Sequence, residues 1–213
     1  MSKSREERPA LGSHVDMTGE GVHWDLRESM SYGDYLGLDK LLDAQRPRSG
    51  EHDEMLFIVI HQASELWMKL CIHELEAALD HVRRDVLGPA FKMLARVARV
   101  QAQLAQSWDV LATMTPYDYS AFRESLGRSS GFQSYQYRSL EYLLGNKNPA
   151  MIEVHRHDPA VYARLHALLH RPSLYDECLR LLARRGYAVP ETCLERDWSA
   201  PYVAHEGVAA AWL

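Results

Sequence analysis

Between His52 and Leu70 the chain reads HDEMLFIVIHQASELWMKL, and apolar side chains at Leu56, Val59, Ile60, Ala63, Leu66, Trp67 and Leu70 recur at steps of three and four. That is the period of a buried helical face. The spacing predicts one long helix from about Asp53 to Arg84, stopped by the LGP at 87–89. His61 and Gln62 interrupt the apolar run. A bare core helix has no use for an imidazole there, so His61 is either a satisfied interior polar group or a handle pointing into a cavity where something is bound.

The same reading carries along the chain. Residues 1–25 mix Gly, Ser, Pro and charges without a period and are expected to form a mobile arm, leaving 26–213 as one helical domain. Asp34 is the expected cap of a short helix to about Ala44 with Leu38, Leu41 and Leu42 on one face, broken by QRPRSGEH. A helix from about Ala90 to Leu111 carries Leu94, Val97, Leu104, Trp108 and Leu111. Thr115, Pro116 and Asp118 have the arrangement of an N-cap, a first-turn proline and a capping-box acid, which predicts a helix ending at Gly127. RSSGFQS interrupts, QSYQYRSLEYLLG resumes helix up to Gly145, and NKNP is a turn. Asp158-Pro159 and Pro172-Ser173 open two more helices, the second closing at Gly186. A last apolar segment, GVAAAWL, stops on Trp212-Leu213 without a capping signal, so the chain reads as truncated within a helix. No alternating period-two segment and no internal repeat is present, and the expected fold class is all-α.

Composition narrows the function. With 213 residues, 46% hydrophobic and 25% charged, the chain can bury a core. Its 24 basic and 29 acidic residues give a net charge of −5 without a basic stripe, which argues against a nucleic-acid partner. The polar start has no signal-peptide segment, and no apolar run approaches the roughly 20 residues of a membrane span, so a cytoplasmic protein with no membrane partner is expected. Cys71, Cys178 and Cys193 are far apart and form no CxxC pair; they read as reduced, mostly packed thiols.

Candidate chemistry lies at two i, i+4 pairs. Phe57 and His61 give one helix face an aromatic wall with a polar handle, or simply core packing with a bonded imidazole. Tyr119 and Arg123 set a phenol beside a guanidinium, either to hold a carboxylate by a fork and an O–H bond or as a surface stack. Ser129-Ser130-Gly131 offers N–H groups and hydroxyls that could line a ligand site or merely connect two helices. His155 with His157, and His166 with His170, sit among Arg and Asp on what read as solvated faces without an acidic partner at ligand spacing, so no metal site is expected there. HQASE at 61–65 is not the HExxH of zinc hydrolases.

Four blocks in order, SYGDYLGLDKLLDAQ, HDEMLFIVIHQASELW, TPYDYSAFRESLG and SSGFQSYQYRSLEYLLGNKNP, together resemble the tryptophan 2,3-dioxygenase family over roughly Tyr32 to Trp198. The resemblance implies a helical haem b protein, homotetrameric, that inserts both atoms of O₂ across the indole C2–C3 bond of L-tryptophan to give N-formylkynurenine. It implies that His61 accepts a hydrogen bond from the indole N–H, with Phe57, Ile58, Val59 and Ile60 in the same wall. Tyr119 and Arg123 would hold the substrate carboxylate, Ser130 and Gly131 would approach the haem edge, and Trp108 would lie near its propionates. Tyr32, Tyr35 and Leu36 match a segment that closes the pocket of a neighbouring subunit.

Tyr135 stands where the family more usually has an aliphatic residue. The family's proximal haem histidine and a Gly/Ser/Thr-rich loop over the substrate ammonium fall in a C-terminal region without a counterpart here, and neither His205 nor the histidines from 155 to 170 replace that ligand. The chain thus resembles about the first two thirds of the enzyme. Two other readings stand beside it: a related haem-dependent oxygenase acting on a modified tryptophan or tyrosine, and a non-catalytic helical fragment.

Overall fold

A computed structural model of the chain describes residues 29–212; the arm expected over 1–25 lies outside the described residues. The chain divides into two compact units, Met1–Ala44 and Gln45–Leu213, and each is described by itself. In the first, α1 (Tyr32–Leu36) and α2 (Leu38–Leu42) replace the single helix expected. Ser31, not Asp34, is the cap: its hydroxyl accepts from the Asp34 N–H while the Asp34 carboxylate accepts from the Ser31 N–H. Gly37, at φ 60°, ends α1 in the left-handed region that only glycine adopts cheaply, so the two helices cannot merge.

In the second unit α3 (Asp53–Arg83) is the axis. Its first turn is fixed by Glu54, buried, whose carboxylate accepts from the N–H of Arg48 at 2.8 Å, the N–H of Ser49 at 2.7 Å and the Ser49 hydroxyl. Those bonds, the Ser49 hydroxyl first, hold the Glu54 carboxyl below its ordinary range. At the other end Asp85, at φ 57°, breaks the helix, and Arg184 donates to the Val82 carbonyl at 2.9 Å. The stop therefore falls earlier than the expected LGP. Gly88 and Pro89 instead lie in the first turn of α4 (Leu87–Leu111), where a missing N–H costs nothing.

α5 (Pro116–Arg123) runs into a 3₁₀ turn at Glu124–Leu126, and a second 3₁₀ turn, Gly131–Gln133, precedes α6 (Tyr135–Leu144). A 3₁₀ segment absent from the sequence reading, Pro149–His155, leads to α7 (Pro159–Leu169), capped by Asp158 as expected. α8 (Leu174–Arg184), capped by Ser173, α9 (Glu191–Leu194) and α10 (Glu206–Trp212) complete an all-α fold with no strand among the described residues.

The core joins the C-terminal half of α3 (Met68, Cys71, Ile72, Leu75, Leu79) to Val97 and Val100 of α4, Leu140, Tyr142 and Leu143 of α6, and Leu165, Leu168 and Leu169 of α7. This corrects the expected buried face. In the N-terminal half of α3, Val59 is 44% exposed, Leu66 48% and Trp67 39%, because no element of the described chain covers that stripe. α3 is also, by length and composition, long and apolar enough to cross a bilayer, contrary to the expectation that no segment approaches a span. Its buried Glu74, paired with Arg96, and its packing on α4, α6 and α8 mark it as a core helix. Cys71 is buried, Cys178 and Cys193 half-buried, and all three are free thiols.

The junction of α6, α7 and α8 is polar and closed. Lys147 is buried, and its ammonium donates to the carbonyls of Leu168 at 2.6 Å, Leu169 at 3.2 Å and Arg171 at 2.9 Å, using all three protons on the end of α7 and the residues just after it. Burial pulls its pKa down to about 8, and the Asp176 carboxylate opposes the shift. Asp176 completes the Ser173 capping box and also accepts from Arg196 and from the Tyr202 hydroxyl, at 3.3 and 3.0 Å. Nearby, His155 is buried, contrary to the solvated face expected, with its Nε2 unpartnered. Burial first, then His157 and Arg138, lower its pKa, and Asp158 opposes them.

Lys147→Met keeps the stem and leaves three carbonyl oxygens without a donor; urea unfolding is expected to show a loss of about 2–4 kcal/mol. A wild-type midpoint would show that the carbonyls find other donors. For His155 the folded pKa lies below the ordinary value of about 6.5, so the unfolded chain takes up a proton first as pH falls. Its contribution is complete above about pH 6.5 and is lost as pH drops through the folded pKa. His155→Leu is therefore expected to flatten the fall in urea midpoint between about pH 6.5 and 5, and an unchanged slope would remove His155 as its source.

Candidate functional site

The residues singled out on α3 and α5 meet at the N-terminal half of α3. α5 starts from the capping box the sequence promised: the Thr115 N–H donates to Asp118 at 2.9 Å, the Asp118 N–H donates back to the Thr115 hydroxyl at 3.2 Å, and Pro116 takes the first position. The Thr115 hydroxyl, then its N–H, hold Asp118 below the usual carboxylate range. That fixes the start of an eight-residue helix, and its length places Tyr119, Phe122 and Arg123 in its last two turns.

Three rings pack where the helices touch. The centroid of Phe57 lies 5.8 Å from that of Tyr119 and 5.6 Å from that of Phe122, and Tyr119 stands edge-on to Phe122 at 5.5 Å and 88°. His61 lies over the other side of Phe57, centroid to centroid 4.1 Å. Its Nδ1 is 2.7 Å from the Phe57 carbonyl. A carbonyl oxygen only accepts, so Nδ1 carries the hydrogen and Nε2 is left with its lone pair, ready to accept a hydrogen bond. The ring contact with Phe57 and the Nδ1 bond are those of the packing reading of His61.

Arg123 donates through Nη1 to the Gly127 carbonyl at 2.9 Å and forms no salt bridge among the described residues, and the Tyr119 ring packs on Phe57 and Phe122. A Tyr119–Arg123 stack is therefore not what the two residues make. The rest of the guanidinium fork stays open to a carboxylate. Gly127 can offer that carbonyl because its backbone, φ 57° and ψ −123°, is one that side chains exclude.

Ser130 caps the 3₁₀ turn at Gly131–Gln133, accepting from the Phe132 N–H at 3.4 Å and donating its own N–H to Gln133 at 3.2 Å. Gln136, in the first turn of α6, donates to both the backbone and the carboxylate of Glu65, each at 2.8 Å, tying this region to α3 one turn beyond His61. Trp108, on the last turn of α4, is 66% exposed. Val59 is exposed, Ile58 and Ile60 half-buried, and Tyr135, also half-buried, packs against the core beneath the Arg164 guanidinium. Tyr32, Tyr35 and Leu36 lie exposed on α1 in the first unit, so the site described here comes from the second unit alone.

Sequence reasoning missed Phe122 and Gly127. Phe122 is fully buried and is the buried residue of α5. The signal was available: in PYDYSAFR it is the apolar position three residues after Tyr119, on the same face.

Among the described residues no three of His, Cys, Asp and Glu come together as a metal site. Val59, Leu66, Trp67, Trp108 and Phe132 each leave a large apolar side chain exposed, the kind of surface on which a flat apolar group packs.

The chain's similarities can now be set beside this geometry. A family model described as Tryptophan 2,3-dioxygenase matches residues 17–213. "Tryptophan 2,3-dioxygenase 1" of Ralstonia nicotianae is 62% identical over 189 residues, covering 89% of this chain and 64% of the relative. The "Tryptophan 2,3-dioxygenase" of Ralstonia pickettii is 60% identical over 198 residues (92% and 71%), and that of Burkholderia mallei 58% over 204 residues (96% and 67%). The chain thus spans about two thirds of the length of the curated relatives it matches.

Gly127→Ala forces a side chain into a backbone region it strains to adopt, and is expected to cost about 1–3 kcal/mol in urea unfolding. Gly131→Ala is its control, since the added methyl meets only open space there and φ is ordinary; a change within roughly 0.5 kcal/mol is expected. Equal effects at the two glycines would refute the special role of Gly127.

Proposed function

The chain belongs to the tryptophan 2,3-dioxygenase family, and we propose that it builds the substrate side of a site that oxidises the indole of L-tryptophan with O₂ to N-formylkynurenine. The observation that carries this reading is the pairing of an imidazole acceptor on α3 with an open guanidinium fork on α5, joined by an aromatic wall. An amino acid bearing an aromatic N–H presents the complements: a carboxylate at one end, a flat apolar ring, and a donor on the ring edge.

His61 accepts the indole N–H at Nε2, its other nitrogen anchored on the Phe57 carbonyl, which fixes the direction of the Nε2 lone pair. The indole N–H is far too weak an acid for imidazole to deprotonate, so His61 orients the ring. Phe57, with Ile58, Val59 and Ile60, excludes water around it. Arg123 and the Tyr119 hydroxyl hold the carboxylate. Trp108, Ser130 and Gly131 would hold haem b, which would supply the activation of O₂ when bound. The assembly proposed is a cytoplasmic homotetramer in which Tyr32, Tyr35 and Leu36 of one subunit close the pocket of the next.

In haem-loaded protein, Arg123→Ala removes a charge-assisted fork and is expected to raise KM for L-tryptophan by roughly 10- to 150-fold, while tryptamine, lacking the carboxylate, binds both proteins alike. His61→Ala is expected to lower turnover by about one to two powers of ten and to leave 1-methyltryptophan, which has no N–H, unaffected by the change. N-formylkynurenine absorbance reads both. An unchanged KM for L-tryptophan in Arg123→Ala would sink the carboxylate assignment, and complete loss of turnover in His61→Ala with haem retained would make His61 an obligatory base.

A further inference from the structure

We infer that Phe122 is a positioning residue: its buried ring, edge-on to both Phe57 and Tyr119, sets the distance from the carboxylate clamp on α5 to the indole acceptor on α3, and so selects substrates by the span between their two polar ends. The inference rests on the substrate reading above and deepens it.

Three observations carry it. Phe122 is fully buried, whereas the Tyr119 and Arg123 side chains on either side of it in α5 are exposed. It meets Phe57 edge-on, at 5.6 Å and 64°, and Tyr119 edge-on, at 5.5 Å and 88°. Phe57 in turn carries His61 on its other side, through the ring stack and through its own carbonyl. Moving α5 therefore means moving the Phe122 edge against Phe57, and the clamp moves with it because Arg123 is the next residue along the same helix. Edge-to-face pairs are directional, so the ring fixes orientation as well as distance. A side chain that only filled volume would leave α5 free to slide.

The test is calorimetric binding of L-tryptophan, tryptamine and indole-3-acetate to the chain, its Phe122→Leu variant and its Phe122→Ala variant, with urea unfolding of each. L-tryptophan has its carboxylate at the full span, indole-3-acetate has it closer to the ring, and tryptamine has none. The wild-type chain is expected to prefer L-tryptophan to tryptamine by roughly tenfold or more, from the charged hydrogen bonds to the carboxylate. In Phe122→Ala that preference is expected to fall to about threefold or less, with indole-3-acetate gaining on L-tryptophan, and Phe122→Leu is expected to lie between. If Phe122→Ala does not fold, the Leu variant carries the same comparison. A merely structural role would weaken all three ligands together; that result, or an unchanged preference in a chain whose wild type shows one, overturns the inference and leaves the site reading standing. A wild type without preference for L-tryptophan overturns both.

Discussion

The 31 residues of α3 make a rod about 46 Å long, and the elements that follow it cover that rod unevenly. Past Met68 it is clasped by α4, α6 and α8, and its side chains form the core, which α7 extends from α6. Before Met68 the apolar stripe continues, and there Val59, Leu66 and Trp67 stay exposed although α5 and the first turn of α6 touch the helix. Burial of apolar surface is what drives the packing, so the covered half supplies stability and rigidity. The open half inherits that rigidity without being filled, which is what a site for a flat apolar ligand requires.

Keeping such a helix fixed at both ends falls to polar groups. Glu54 holds the preceding loop onto its first turn, Arg184 takes the Val82 carbonyl at its last, and Arg83 pairs with the buried Glu177 of α8 at 2.9 Å. Lys147 does the same for α7, and Asp176 gathers Ser173, Arg196 and Tyr202 around the start of α8. Arg196 also lies over the Tyr202 ring at 4.1 Å and, with Arg180, flanks Trp198. Glu54, Lys147 and Asp176 each take three or more hydrogen bonds, the condition under which burying a charge is tolerable, whereas the buried Nη2 of Arg196 has no partner.

At the site, chemistry follows from which hydrogen bonds are already made. The Phe57 carbonyl consumes one nitrogen of His61 and thereby decides the role of the other. The Gly127 carbonyl takes one arm of Arg123 and steers the remainder. Both anchors are backbone oxygens, so the functional groups are aimed by the path of the chain, and the aromatic triangle of Phe57, Tyr119 and Phe122 holds the two paths together.

The sequence by itself determined the helices and most of their ends, because those depend on neighbours a few residues apart: Thr115-Pro116-Asp118, Asp158-Pro159, Ser173 and the glycines at 127, 145 and 186 act where the period places them. It also put Phe57 with His61 and Tyr119 with Arg123 at helical spacing. What it could not decide was anything set by a contact distant in the chain. The periodicity of 56–70 is the same whether the stripe is covered or open, so exposure of Val59, Leu66 and Trp67 came only from where α4, α6 and α7 pack. The burial of His155 among α6 and α7, the donors on Lys147, and the lock of Phe122 between two helices are likewise tertiary facts, since each joins residues whose proximity no local pattern encodes.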